Sequence, residues 1–266
     1  MIKKLLNHTG IRKGDVILVH SAYRKLREVT NFSPGDIIET LKEVITPEGS
    51  IIMPVFTYCF RKKNGTNEVF DTSNSKSKTG YLTEMFRLSD GVTRTNSPTH
   101  SFAIWGKLNS GKQFVDNPES PLGRESVLTS LLRANGKILM LGCGFESFTF
   151  GHYLENLAPA PWKDISPWDY MGVEPAGVSV DGETKLKELP GCSRGFLSFE
   201  KYLLEKRSIS KKNFAGLSYY SLDANDVYNE GLIYFSKFPD KLICAKGSCQ
   251  PCDSRRQKLK EAGVIL

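Results

Sequence analysis

The chain has 266 residues, 39% of them hydrophobic and 24% charged, which is enough to bury a core and unlike a disordered segment. It carries 36 Lys and Arg against 29 Asp and Glu, a formal charge of +7; positions 1–150 hold 20 basic and 14 acidic residues, the rest 16 and 15. No apolar run approaches the ~20 residues that span a bilayer, and Met1-Ile2-Lys3-Lys4-Leu5-Leu6-Asn7-His8 turns polar too soon for a signal peptide. Arg24-Lys25-Leu26-Arg27 and Arg61-Lys62-Lys63 are too short to argue for nucleic acid. The expectation is a cytoplasmic globular protein with neither membrane nor nucleic acid as partner.

Strand and helix signals alternate along the first half. Asp15-Val16-Ile17-Leu18-Val19 follows Gly14 and reads as a buried strand. Ser33-Pro34 opens a helix, with Ser33 as N-cap and Asp36 in the first turn. Gly49 precedes a second buried strand, Ser50 to Phe56, and the polar stretch from Lys62 to Lys78 reads as a long surface loop. Gly80 to Leu88 has helical spacing and Ser101 to Trp105 strand composition. Ser126 to Ala134 reads as an amphipathic helix stopped by Asn135-Gly136, and Lys137 to Gly142 is the clearest strand signal in the chain. A helix follows from Ser147 to Leu157, ended by Pro159 and Pro161. The last third is less regular, with alternation from Glu183 to Leu189 and helical spacing at Phe199–Lys206 and Ala224–Phe235. This pattern predicts an α/β fold, an α-β-α sandwich around a central sheet, as one domain over residues 1–266 with a cysteine-containing tail from about 240.

The segment from Ile138 to Leu157 is the most informative for chemistry. A strand end feeding the turn Gly142-Cys143-Gly144 and then a helix is where α/β folds place ligands. The helix carries His152 and Glu155, whose spacing of three puts both on one face. A carboxylate on an imidazole fixes its tautomer and raises its basicity, as a proton-abstracting histidine requires; the same spacing also suits a pair with no catalytic part. There is no His-Glu-x-x-His, Gly-x-Ser-x-Gly, P-loop or Rossmann fingerprint. Cys59, Cys143 and Cys192 are scattered and read as small buried hydrophobes. Cys244, Cys249 and Cys252 form Cys-x4-Cys-x2-Cys, three thiols where structural zinc takes four, with Cys192 as one source of a fourth. The expectation is no metal.

Leu139-Met140-Leu141-Gly142-Cys143-Gly144-Phe145-Glu146-Ser147-Phe148-Thr149-Phe150-Gly151-His152-Tyr153-Leu154-Glu155 resembles the signature of the aminoglycoside 3-N-acetyltransferase family: an aliphatic strand, a glycine, Asn-x-Thr, two residues, His and, three on, Glu. Five further segments match that family in order: Val19-His20-Ser21; Gly49 to Thr57; Thr79 to Arg87; Arg94 to Ala103, with His100-Ser101; and Pro121 to Ser126. Together they cover residues 12–160, with a weaker match at 222–235. The departures are Ala22 for a serine, Ser97 for a histidine, Val127 for a proline and Ser147 for an asparagine.

The resemblance implies an acetyl-coenzyme A-dependent N-acetyltransferase. By the same resemblance His152 is the base, Glu155 its partner and Thr149 a donor to the thioester oxygen, with His20, Ser21, His100 and Ser101 along the coenzyme path. The basic balance favours an amino sugar attached to a nucleotide over a polycationic aminoglycoside, which remains the alternative and would make the chain an antibiotic-resistance enzyme. From other classes, a thioester or ester hydrolase and a zinc-knuckle binding protein stay open. The oligomeric state is also open, a homodimer being one option.

Overall fold

The computed structural model describes residues 1–159, 171–187 and 191–263. Strand β1 (Val16–Ser21) is preceded by helix α1 (Ile2–Thr9) and followed at once by α2 (Tyr23–Thr30) and α3 (Pro34–Ile45). Ser33 caps α3 as its sequence predicts: Oγ accepts the Asp36 N–H at 3.1 Å, while the Asp36 carboxylate accepts the Ser33 N–H at 3.0 Å. Next come β2 (Ser50–Pro54), β3 (Phe60–Lys62), α4 (Tyr81–Arg87), β4 (Thr93–Arg94) and β5 (Phe102–Gly106). The middle unit is α5 (Val127–Arg133), β6 (Lys137–Leu141) and α6 (Thr149–Leu157). The remainder comprises β7 (Val173–Ser179), β8 (Gly182–Lys185), α7 (Phe196–Glu205), β9 (Lys212–Phe214), β10 (Leu217–Asp223), α8 (Ala224–Lys237) and α9 (Gln250–Glu261).

Seven strands form one mixed sheet in the order β4-β5-β2-β1-β6-β10-β9, and β3, β7 and β8 form a small second sheet. At the centre, β1 runs parallel to both β2 and β6, with His20 opposite Met140 and Ser21 opposite Leu141. Both faces of these central strands are apolar, as a covered parallel sheet requires. Ile17, Val19, Ile51, Met53 and Leu139 pack with α1 to α4 through Leu5, Leu26, Ile38, Leu41 and Phe86. On the other face Leu18, Ile52, Ile138 and Met140 pack with α5 to α8 through Leu131, Leu154, Phe199 and Phe235. This is the α-β-α sandwich expected from the alternation.

Three expectations change in detail. The helix read from Ser147 divides into a single 3-10 turn at Phe145–Ser147 and then α6 from Thr149. Phe145 and Phe148 both turn inward, their rings stacked at 4.3 Å. The polar loop from Lys62 to Lys78 is anchored midway by Phe70, which is buried under the Arg94 guanidinium. The described residues beyond 240 include α9, which seats Cys252 and Leu259 in the core. Pro161 and Leu189 lie outside the described residues.

β2 and β5 approach so closely at one end that a side chain is excluded. Gly106 has φ +93, and a Cβ there would lie 2.3 Å from the Gly49 carbonyl oxygen. Left-handed strain alone costs about 1–3 kcal/mol, and the clash adds the cost of parting two strands. Gly106→Ala should therefore lower unfolding stability by more than ~2 kcal/mol in urea titrations; a loss below about 0.5 kcal/mol, typical of a neutral surface change, would contradict this reading.

Candidate active site

The sheet order places β2 on one side of β1 and β6 on the other, so the loops leaving their carboxyl ends diverge. In open α/β sheets such a divergence forms the ligand crevice. Here it opens an exposed cleft of about 750 Å³. His20 and Ser21 come to it from the end of β1, Pro54 and Phe56 from the end of β2, and Thr149 and His152 from α6. A second lobe of about 880 Å³ continues past His152 and is walled by Phe56, Tyr58, Phe60 and His100.

Gly142 makes the entry to α6 possible. It ends β6 at φ +71, and a Cβ there would lie 3.0 Å from Leu217 and 3.2 Å from the Lys25 side chain. After this turn Thr149 is the first residue of α6, at the helix end whose amides have no intrahelical acceptor. One turn on, His152 is 8% exposed and its Nδ1 lies 3.1 Å from Glu155 Oε2. A carboxylate can only accept, so Nδ1 carries the hydrogen and Nε2 is left as a proton acceptor. The Phe196 ring meets the imidazole edge-on at 4.8 Å. The other carboxylate oxygen, Glu155 Oε1, lies 2.5 Å from Nη2 of Arg255, which α9 delivers from the far end of the chain.

His20 and His100 are both buried. His20 Nε2 has no hydrogen-bond partner among the described residues, and burial pushes the imidazole pKa down to about 4. His100 Nδ1 lies 2.9 Å from Thr99 Oγ1, and its ring sits against those of Phe56, Tyr58 and Phe60. Burial, with a smaller contribution from His152, lowers its pKa to about 3. His20, Ser21, Thr149 and His152 thus share one lobe, and His100 and His152 share the other. Ser101 is the exception. It is fully buried, its hydroxyl donates to the Val55 carbonyl at 2.9 Å and accepts from Arg94 Nε at 2.9 Å, and it lines neither lobe. In this position Ser101, expected along the coenzyme path, braces the β5 end.

Arg255 is the functional neighbour that the sequence does not reveal, because no spacing rule links a residue of α9 to Glu155 in α6. Glu146, which also lines the cleft, lies within the recognised segment but has no chemical signature of its own. The four sulfurs of Cys192, Cys244, Cys249 and Cys252 lie within 4.8 Å of one another, so the fold supplies the fourth thiol that the spacing lacks.

The family model for aminoglycoside 3-N-acetyltransferase matches residues 18–236. The chain belongs to that family. Among curated proteins it is 32% identical over 173 residues to the SPbeta prophage-derived aminoglycoside N(3')-acetyltransferase-like protein YokD of Bacillus subtilis (strain 168), covering 58% of this chain and 63% of the relative. It is 29% identical over 167 residues to aminoglycoside N(3)-acetyltransferase IV of Salmonella, covering 61% and 59%. The chain thus spans about three-fifths of the length of these relatives. In fold it resembles the crystal structure of the aminoglycoside acetyltransferase AAC(3)-IVa apoenzyme, with a TM-score of 0.76 at 22% identity over 97% of this chain and 95% of that one. It also resembles AAC-IIIb in binary complex with CoASH, with a TM-score of 0.72 at 21% identity over 88% and 94%. No helix among the described residues is long and apolar enough to cross a membrane.

The two buried histidines make stability acid-sensitive. The unfolded chain takes up these protons near pH 6.5, the folded chain only near 4 for His20 and 3 for His100. The unfolded state therefore binds more protons below pH ~6.5, and stability falls as pH drops, by up to ~1.4 kcal/mol per unit for each histidine. Urea midpoints measured from about pH 7 to about pH 5 should decline, and His20→Gln should flatten the decline by close to one proton. Equal slopes in the two proteins would show that His20 titrates freely in the fold.

Proposed function

We propose that the protein transfers an acetyl group from acetyl-coenzyme A to a primary amine of an aminoglycoside. The observation that carries the reaction is the His152 imidazole, tied to Glu155 through Nδ1 and lining both lobes of the cleft. An amine is mostly protonated at neutral pH and cannot attack a thioester until a proton leaves. Once that proton has passed to solvent, the neutral amine attacks the acetyl carbon while His152 Nε2 takes a second proton from its nitrogen; the carbon–sulfur bond then breaks, and the departing thiolate recovers a proton from the imidazolium. Glu155 holds the ring and offsets the positive charge it acquires. The Thr149 hydroxyl, at the start of α6, faces the negative charge developing on the thioester oxygen. His20 and Ser21, on the β1 side of the same lobe, bind the coenzyme, and the unpartnered His20 Nε2 supplies one polar contact. The binary complex of AAC-IIIb with CoASH supports a coenzyme role for this fold.

The acceptor reading changes from that suggested by net charge. The relatives are named aminoglycoside acetyltransferases, and fold neighbours include AAC(3)-IVa in complex with a gentamicin or with apramycin and AAC-VIa with sisomicin. The charge argument for a nucleotide-linked amino sugar also loses its local basis. Among the described lining residues, the formally charged side chains are Glu146 in one lobe and Arg194 in the other. The basic surplus therefore lies outside the described lining of the cleft.

Thiol release from acetyl-coenzyme A, followed with gentamicin, apramycin, sisomicin and a nucleotide-linked amino sugar in parallel, tests this directly. Release should require an amine and be fastest with an aminoglycoside. His152→Ala should lower kcat/KM on the order of 10²–10⁴-fold, and Glu155→Gln by less, since it preserves shape. Release at the full rate without any amine would establish a hydrolase instead.

A further inference from the structure

We propose that Cys192, Cys244, Cys249 and Cys252 bind one zinc ion as a structural site that fastens helix α9 to the body of the enzyme. All four Sγ atoms lie within 4.8 Å of one another, and the shortest separation recorded, Cys192 to Cys244, is 3.6 Å. A tetrahedral ion with Zn–S distances of about 2.3 Å spaces its four sulfurs about 3.8 Å apart, so the cluster is already close to the size of one ion's coordination shell. A multi-iron cluster would hold its thiolates farther apart. None of the four is in a disulfide. Four soft thiolates select zinc over magnesium or calcium.

The surrounding backbone is built to present them. Cys244 follows a 3-10 turn at Pro239–Leu242. The chain then folds tightly, with the Ser248 N–H donating to the Ala245 carbonyl at 3.0 Å, before Cys249 leads into α9 and Cys252 sits in its first turn. The Gly247 N–H donates to the Asp253 carboxylate at 3.0 Å, tying this loop to the helix. Cys192 comes from the distant segment that enters α7. Four thiolates around one dication leave a net charge of −2. Arg256 lies beside this loop: its guanidinium donates to the Cys244 carbonyl, and its buried Nε pairs with the Asp253 carboxylate at 3.9 Å. Such outer cations and N–H groups commonly support metal thiolates.

What the site holds explains its position. Arg255, three residues after Cys252, makes the 2.5 Å pair with Glu155, and its guanidinium packs on the backbone of Gly191, the residue before Cys192. A Cβ on Gly191 would fall 1.7 Å from Arg255 Nη2. The ion therefore joins the two segments between which Arg255 is fixed. This inference stands whatever the acceptor proves to be.

The protein should be purified without chelator from zinc-supplemented cultures, and its metals measured. One zinc per chain is expected. Replacement by cobalt should give the intense thiolate charge-transfer and visible bands of a tetrahedral tetrathiolate. Native thiol titration should expose four additional thiols when the metal is stripped. Cys244→Ser and Cys249→Ser should bind substoichiometric zinc and melt earlier, whereas Cys59→Ala and Cys143→Ser should retain one zinc. If the cluster variants do not fold, the wild-type zinc content, cobalt spectrum and thiol count still decide the matter. Metal-free protein that fails to take up added zinc, iron in place of zinc, or a Cys192–Cys244 disulfide in freshly isolated protein would each overturn the proposal.

Discussion

Glu155 is the pivot of the structure. Its carboxylate is 5% exposed and shared between two partners, the His152 imidazole through one oxygen and the Arg255 guanidinium through the other. A buried carboxylate without a cation is costly, and stripping one partner from a buried pair typically loses about 3–5 kcal/mol. With α9 docked, Glu155 is oriented and holds His152 with Nε2 free. If α9 is displaced, the Arg255 contact is lost, and the carboxylate that orients the imidazole is disturbed with it. A helix at the far end of the chain thus becomes part of the proposed catalytic apparatus while touching no reacting atom.

The rest of the fold can be traced from that requirement. His152 must meet the crevice left where β1 hands the sheet to β2 on one side and β6 on the other, so α6 must start immediately beyond β6. Gly142 and the single 3-10 turn accomplish this in seven residues, and Glu200 from α7 secures the turn by accepting the Phe145 N–H at 3.1 Å while Tyr220 donates to its other oxygen. The face of α6 opposite the cleft is held by Phe150 and Leu154 in the core. Apolar packing thus fixes the helix, and the helix presents His152 and Glu155 at a rigid angle. Positioning of this kind is what a direct transfer between two bound substrates needs most.

The sequence discloses those parts that depend on local rules. The β6 strand, the Ser33 cap and the i,i+3 relation of His152 and Glu155 all follow from period and spacing, and each is present. The small strands β9 and β3 are invisible to such rules, because three residues carry no periodicity and both exist only by pairing with β10 and β7. Helix α9 is hidden for a related reason: Gln250 to Glu261 is almost wholly polar, and its buried apolar side chains are Cys252 and Leu259, with Arg255 buried beside them. The cysteines illustrate the limit best. Three of them lie within nine residues, so their grouping can be read directly, but Cys192 joins them only because the entry to α7 passes beside the start of α9. Whole-chain charge misleads for a comparable reason, since a net surplus does not say which side chains line a cleft.

The positions at which this chain departs from its family's motifs can now be sorted by what they touch. Ala22 begins α2 with no side-chain cap, and its N–H goes to the Leu141 carbonyl at 2.9 Å, so losing a serine there removes a cap and leaves the strand register unchanged. Val127 opens α5 behind Ser126, which already caps that helix by accepting the Leu128 N–H at 3.3 Å; a proline would only pre-set a conformation the cap enforces. Ser97 is buried and accepts the His100 N–H at 3.1 Å, a task an imidazole nitrogen could also perform, so this exchange bears on how His100 is seated and only indirectly on substrate. Ser147 is different. It lines the cleft between Glu146 and Phe148, where a serine offers a shorter side chain and one hydroxyl in place of an amide with two donors. Of the four departures, this is the one that can alter which amine is held in front of His152, because it changes a polar contact in the cleft itself while the other three act on the scaffold behind it.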